Sequence, residues 1–267
     1  MPFFKESFLF SASEADLYRR VKLSAVLRHM QDAAGRHLDS LGYSYEKLME
    51  KHQVFLLSKM EILFEGSPMP EQEVTVRTRP HPAKGAYFLR ETQLEANGKP
   101  LIFGNAAWIL ADNETHRVLR PSAFDWDYPF DSAEFNSDIA RKRIPEPENT
   151  LLLGERQIRY SDLDGNRHVN NAVYGDILCD FLPVDWMSSF PLHRVSLLYE
   201  HEAFLGDRLQ ITGCQTGENR WYLAGTRGDE RCFAAEAESK MGPCMRRSPW
   251  ALITAVATTC SGSGRVV

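Results

Sequence analysis

One pattern occurs twice along this chain, and it limits the folds available more than any composition figure. A polar, basic lead-in (DLYRRVK) runs into a stretch where Leu23, Val26, Leu27, Met30, Ala34, Leu38 and Leu41 recur at three- and four-residue steps. That spacing predicts a helix with one apolar stripe, stopped near Gly42. A short helical stretch, SYEKLMEKH, follows, and then four runs with strand texture: VFLLSKMEILFEG, EVTVRTRPH, AYFLRETQLEANG and LIFGNAAWILADNETHRVLRP. Gly, Pro or Asn bounds each of them, as turns require. The plan then repeats. ERQIRYSDLD leads into a helix carrying Val173, Tyr174, Ile177, Leu178, Phe181 and Leu182, which Pro183 stops, and four more strand-like runs come after it. A helix with a single apolar stripe must bury it, and a curved antiparallel sheet wrapped around it does so. The expected class is α+β, with two such units in tandem as an internal duplication. Pairing the units edge to edge would cover strands otherwise left open.

Between the repeats, from Pro121 to Thr150, the texture changes to proline, mixed charge and weak periodicity, with aromatic residues that suggest packing against a surface. The expected organisation is an N-terminal unit over 1–130, a connection over 131–150, a C-terminal unit over 151–245 and a tail over 246–267. The tail has no counterpart in the first half and ends in TTCSGSGRVV, a composition that predicts mobility.

A net charge of −5 argues against general nucleic-acid binding, which needs a basic face. No segment approaches the apolar length of a membrane span, and the acidic, interrupted N-terminus is neither a signal nor a transit peptide. Five cysteines without CxxC spacing predict neither a disulfide framework nor a zinc site, and a reducing cytoplasm is the simplest location.

The chemistry concentrates in YSDLDGNRHVNNAVY, ahead of the second helix. Asp164, Asn166 and His168 stand at alternate positions, so in an extended segment they would share one face. Asn170 and Asn171 suit a helix N-terminus. Asx residues before a helix also serve as caps and turns, so each alone is ordinary; the aligned set is what points to a site. Competing motifs fail. There is no GxSxG elbow or GxxxxGK[ST] loop, HEAFL has Leu205 where a zinc-protease helix needs its second histidine, and GSGRVV lacks the flanking strand and helix of a dinucleotide loop.

DLDGNRHVNNAVY followed by LLYEHEAFLGD, with LSAVLRHMQDAAGRHLDSLGYS and NAAWILADNETHRVLRPS in the first half, resembles the acyl–acyl carrier protein thioesterases over roughly residues 3–245. The resemblance implies two tandem hotdog domains, a bacterial-type member, and hydrolysis of fatty acyl–carrier thioesters that ends chain elongation, with no cofactor or metal. It places the catalytic residues on Asp164, Asn166, His168 and Glu202. Ala203 stands where some schemes for the family put a cysteine, which excludes a thiol nucleophile there. Backbone N–H groups of Val169 and Asn170 are candidates for an oxyanion hole. The first repeat has ADLYRRVKLSAV with no Asn–His pair, so one site per chain is expected. The resemblance gives the first unit the acyl chain, with Met30, Ala33, Ala34, Leu56, Leu57, Met60 and Ile62 as lining candidates. The partner would be acyl carrier protein, an acidic protein, met by basic clusters at Arg19, Arg20 and Lys22 or at Arg141, Lys142 and Arg143. The rival readings are an acyl-coenzyme A thioesterase, a hotdog lyase and a non-catalytic acyl-thioester binder. A monomer and a homodimer are both compatible with fused repeats.

Overall fold

The computed structural model describes residues 3–130, 135–189 and 191–240. In chain order the elements are β1 (Phe4–Leu9), α1 (Leu23–Ser40), α2 (Tyr45–Glu50), β2 (Gln53–Phe64), β3 (Glu73–Lys84), β4 (Tyr87–Ala96) and β5 (Lys99–Asp112). The second half adds β6 (Leu151–Gln157), α3 (Val173–Phe181), α4 (Val184–Ser189), β7 (Leu192–Tyr199), β8 (Arg208–Gly217), β9 (Arg220–Arg227) and β10 (Glu230–Ser239).

All ten strands form one antiparallel sheet in the order β1-β3-β4-β5-β2-β7-β10-β9-β8-β6. From the centre outward the halves trace the same path, β2-β5-β4-β3-β1 on one side and β7-β10-β9-β8-β6 on the other. The duplication read from the sequence is thus present in the topology. The halves join where β2 pairs with β7, from Lys59 opposite Leu198 to Leu63 opposite Arg194. This junction hides two edges that would otherwise be open to other chains.

The two helices meet inside the sheet. Leu23, Val26 and Leu27 of α1, Val173, Tyr174 and Ile177 of α3, and strand residues from both halves belong to one continuous core. No side chain caps the start of α1, so burial of its stripe holds it more than its ends do. Gly175 lets the helices approach, because a Cβ there would lie 2.9 Å from Leu27 Cδ1 and 3.1 Å from Leu23 Cγ. Ser24 Oγ donates to Asp176 Oδ1 at 2.5 Å across the same contact.

The second helix, nine residues against eighteen in α1, ends where Pro183 was expected to stop it. Leu182 is already extended (φ −75°, ψ 142°), as the residue before Pro183 is inclined to be, and α4 restarts beyond it. One local expectation changes: the polar motif is not extended, since β6 stops at Gln157 and a tight turn follows. Residues 131–134 of the connection and the tail over 246–267 lie outside the described residues.

Candidate active site

The motif folds as a hydrogen-bonded turn. Asp164 N–H donates to His168 O at 3.0 Å and Arg167 N–H to Asp164 O at 3.0 Å, while Arg167 takes a left-handed φ of 70°. Asp164 Oδ1 accepts the Asn166 N–H at 2.8 Å, the side-chain turn that aspartate forms readily. Closing the turn brings Asp164 Oδ1 to 3.7 Å from His168 Nδ1. Turn closure, and not strand alternation, juxtaposes the two side chains.

Glu202 reaches the other side of the same ring, with Oε1 3.7 Å from His168 Nε2. Its segment, between β7 and β8, is held at several points. Val169 N–H donates to Ala203 O at 2.9 Å, and Phe204 N–H donates to Asp207 Oδ2 at 2.8 Å. Arg227 ties Asp207 at 2.9 Å to Glu230 at 2.6 Å, and Arg231 grips both oxygens of Glu200 at 2.7 Å. His168 therefore stands between two carboxylates on separately anchored loops, 16% exposed beside Asp164 at 21% and Glu202 at 39%.

Asn166 turns the other way. Its Oδ1 accepts from Tyr45 Oη of α2 at 3.2 Å, and its side chain forms part of the wall of a cavity of about 290 Å³ in the first half. The cavity lies by the C-terminal part of α1, where Ala34 and Gly35 leave room, and Phe55, Phe88, Trp108 and Trp126 supply apolar wall. A Cβ at Gly35 would meet nothing within 4 Å. Trp126 comes from the stretch between Pro121 and Thr150, whose aromatic residues do pack on the sheet.

The remaining sequence candidates fall in several places. Of the seven lining candidates, only Ala34 borders the cavity. Met30, Ala33, Leu57, Met60 and Ile62 are core, and Leu56 is half-buried outside the wall. The apolar run of β2 is covered by α1, so only its first residues, Gln53 to Phe55, open onto the space. The oxyanion candidates are committed elsewhere, with Val169 N–H on Ala203 O and Asn170 N–H on Asp162 O, each at 2.9 Å. Asn170 Oδ1 instead accepts from Ala172 N at 2.9 Å, ahead of α3. Among the basic residues, Arg20 is paired with Asp16, Lys22 donates to Ser13 O, and Lys142 is paired with Glu236. Arg19, Arg141 and Arg143 remain exposed.

The first half contains the same scaffold without the chemistry. Asp16 Oδ1 accepts the Tyr18 N–H at 2.8 Å, Asp16 N–H donates to Arg20 O at 2.7 Å, and Arg19 has φ 61°. The bridge Ala15–Val21 matches Leu163–Val169. Tyr18 stands where Asn166 is, and Arg20 where His168 is. In the loop after β2, Met69 N–H bonds Gln72 Oε1 at 2.9 Å, as Phe204 bonds Asp207 in the second half. That match puts Ser67 opposite Glu202. The aspartate alone persists, so the first half lacks the bracketed histidine.

No cysteine among the described residues offers an alternative nucleophile at this site. Ala203 is fully buried, and burial of the nearby Cys232, itself inaccessible, pushes its thiol up. Tyr174 is raised as well, first by burial and then by Cys232 and Glu202.

Paired helices in one shared sheet, with an Asp–His–Glu cluster in the second half and an apolar cavity in the first, define a tandem hotdog protein. A model of the acyl-ACP thioesterase N-terminal domain matches residues 2–122, and one of the C-terminal domain matches residues 147–235. The chain belongs to the acyl-ACP thioesterase family. A palmitoyl-acyl carrier protein thioesterase of Arabidopsis thaliana is 25% identical over 248 residues, covering 86% of this chain and 59% of that protein. An oleoyl-acyl carrier protein thioesterase of Coriandrum sativum is 20% identical over 220 residues, covering 74% and 59%. The chain thus spans between half and three-fifths of the length of these curated relatives. In fold it matches an acyl-ACP thioesterase from Bacteroides thetaiotaomicron at TM-score 0.79 and 21% identity, over 88% of this chain and 97% of that one. A 12:0-ACP thioesterase from Umbellularia californica matches at TM-score 0.76 and 18% identity, over 90% and 97%.

Proposed function

We propose that the protein hydrolyses the thioester of fatty acyl–acyl carrier protein, releasing free fatty acid and ending chain elongation. The observation that carries this reading is the double position of Asn166. It belongs to the loop of Asp164 and His168 and also to the cavity wall. An acyl chain lying in the cavity would present its carbonyl at the cluster.

The division of labour follows from what each group already holds. Asp164 Oδ1 is occupied by the Asn166 N–H, which suits it to orienting His168. Glu202 takes no hydrogen bond among the described residues and faces the opposite ring nitrogen, so it is the base. Glu202 accepts a proton from water, the resulting hydroxide equivalent adds to the carbonyl carbon, and His168 stabilises charge as it develops. With Asn166 Oδ1 on Tyr45, the amide Nδ2 is left for the oxyanion. Collapse expels a thiolate, a fair leaving group because an ordinary thiol ionises near ~8.5. The proton held on Glu202 then returns to the products.

The division of the chain proposed is an acyl-holding first unit over 1–130, a connection over 131–150 and a catalytic second unit over 151–245. Arg19, Arg141 and Arg143, with the exposed Arg167 beside the site, would meet the acidic carrier. Free thiols at Cys179, Cys214 and Cys232 support a reducing compartment, the cytoplasm. No described helix is long and apolar enough to cross a membrane. The β2–β7 junction completes the pair within one chain, which supports a monomer, while the edges β1 and β6 offer the route to a homodimer.

Steady-state hydrolysis of one acyl chain on carrier protein and on coenzyme A tests the partner. The expected result is a higher kcat/KM on the carrier, reduced by Arg167→Glu through KM alone. Equal or better turnover of the coenzyme A ester, unaffected by that change, would refute the carrier as partner.

A further inference from the structure

A cavity built only for a hydrocarbon tail needs an apolar wall, and this one contains a guanidinium. Arg90, on β4, borders the cavity and is 5% exposed. Its hydrogen bonds run from Nη1 alone, to His37 Nδ1 at 3.1 Å and Thr78 Oγ1 at 3.2 Å. Both acceptors are neutral. His37 is held down at about 4 by burial and by the charge of Arg90 itself, and the Arg90 proton it accepts fixes its own hydrogen on Nε2.

No carboxylate among the described residues pairs with Arg90. Glu91, next along the strand, points to the opposite face and is held by Arg79 at 2.6 Å and His81 at 3.2 Å. Asp39 borders the cavity but is exposed and makes no ion pair with Arg90. Burial lowers Arg90 only to about 10, so it stays charged at neutral pH. A buried charge without a counter-charge is costly and is retained where something gains by it. A second observation agrees. Gln31 Nε2, Gln53 Oε1, Trp108 Nε1 and Trp126 Nε1, all on side chains that border the cavity, are buried without a hydrogen-bond partner.

We propose that this cavity selects acyl chains carrying an oxygen substituent (hydroxyl, oxo or terminal carboxylate) that accepts hydrogen bonds from Arg90, over unsubstituted chains of the same length. The proposal rests on reading the cavity as the acyl pocket and adds the substrate class. Arg90 Nε and Nη2, which make no hydrogen bond in the described protein, are the donors. A charged donor meeting an acceptor away from water gives strong discrimination against a chain lacking it.

The test uses free fatty acids, so it does not depend on turnover. Dissociation constants are measured by calorimetry for an unsubstituted acid, a mid-chain hydroxy acid, an oxo acid and an α,ω-dicarboxylic acid of one length, on wild type, Arg90→Met and Arg90→Lys. The wild type is expected to favour at least one oxygenated acid by about tenfold or more. Arg90→Met should bring that ratio to about one, and Arg90→Lys should keep part of it. A preference limited to the dicarboxylic acid identifies a charged tail, and one shared by the hydroxy and oxo acids identifies a neutral oxygen. Wild type binding the unsubstituted acid as tightly as all the others would overturn the proposal, as would a ratio unchanged in Arg90→Met. If Arg90→Met does not fold, the wild-type ratio and Arg90→Lys decide alone. Matching N-acetylcysteamine thioesters are run alongside: absence of hydrolysis with the binding preference intact would reject the thioesterase reading and leave this one standing.

Discussion

His168 lies 3.7 Å from a carboxylate on each side, and the proposed chemistry depends on that bracket. His168→Ala, Asp164→Asn and Glu202→Gln should each lower kcat about 100-fold or more while circular dichroism stays unchanged. Cys232→Ala should stay within about twofold, since that buried thiol has no part in the reaction. His37 makes a separate prediction about stability. Its folded value of about 4 lies below an ordinary histidine near ~6.5, so between those pH values the unfolded chain binds a proton that the folded chain does not. Stability is therefore full above the unfolded value and is lost as pH falls toward the folded one. The loss should be about 2 kcal/mol between about pH 7 and about pH 5 in urea melts, and His37→Gln should remove that part. An identical acid loss in His37→Gln would contradict the assignment. Asp164, Asn166, His168 and Glu202 were legible as a motif because their identities are the signal. Tyr45 and Arg90 were not, since a tyrosine on a short helix and an arginine in an alternating strand look like ordinary surface residues until the fold places them.

At the level of elements, close packing decides which residues are core and which face a ligand. The apolar runs predicted the helices and strands well, yet five of the lining candidates lie in the core. Helical periodicity marks the buried stripe of α1 without showing where its cover ends. The cavity borders only the stretch of α1 from Gln31 onward, where Ala34 and Gly35 leave room. Gly35→Leu should therefore fill the space and shift preference toward shorter acyl chains, read as the ratio of kcat/KM across a chain-length series. An unchanged ratio would mean that the chain lies elsewhere. The α1–α3 contact gives a stability test. Gly175→Val places methyls against Leu27, Leu23 and the Ser24 backbone, and overpacking there should cost about 1–3 kcal/mol in denaturant unfolding. The shape of the catalytic turn was hidden for a related reason. Alternate spacing fits a strand, but the backbone reverses through Asp164–Arg167, and only hydrogen bonding within the turn shows it.

Across the whole molecule, the two halves keep one scaffold and differ in the side chains it carries. Both halves keep the turn and the loop that faces it, but the first holds Tyr18, Arg20 and Ser67 where the second holds Asn166, His168 and Glu202. Arg20 there braces the turn through Asp16 and donates to Met187 O of α4 at 2.9 Å, a structural use of the vacated histidine position. The two halves are also interlocked, with α2 of the first half touching the catalytic loop and α4 of the second touching its counterpart through Tyr18. The repeat itself was visible in the sequence because two helix-then-strands patterns survive low identity. Edge-to-edge pairing of the two units was expected from their open strands, but nothing in β2 or β7 announces that these are the strands that meet. The most direct measurement of the account is release of free fatty acid from acyl–acyl carrier protein by the wild type and by Asp164→Ala at matched concentration. Multiple turnovers by the wild type, lost in a folded Asp164→Ala protein that still binds the acyl chain, is the predicted result. Equal release by both proteins, or acyl binding without release by the wild type, would contradict it.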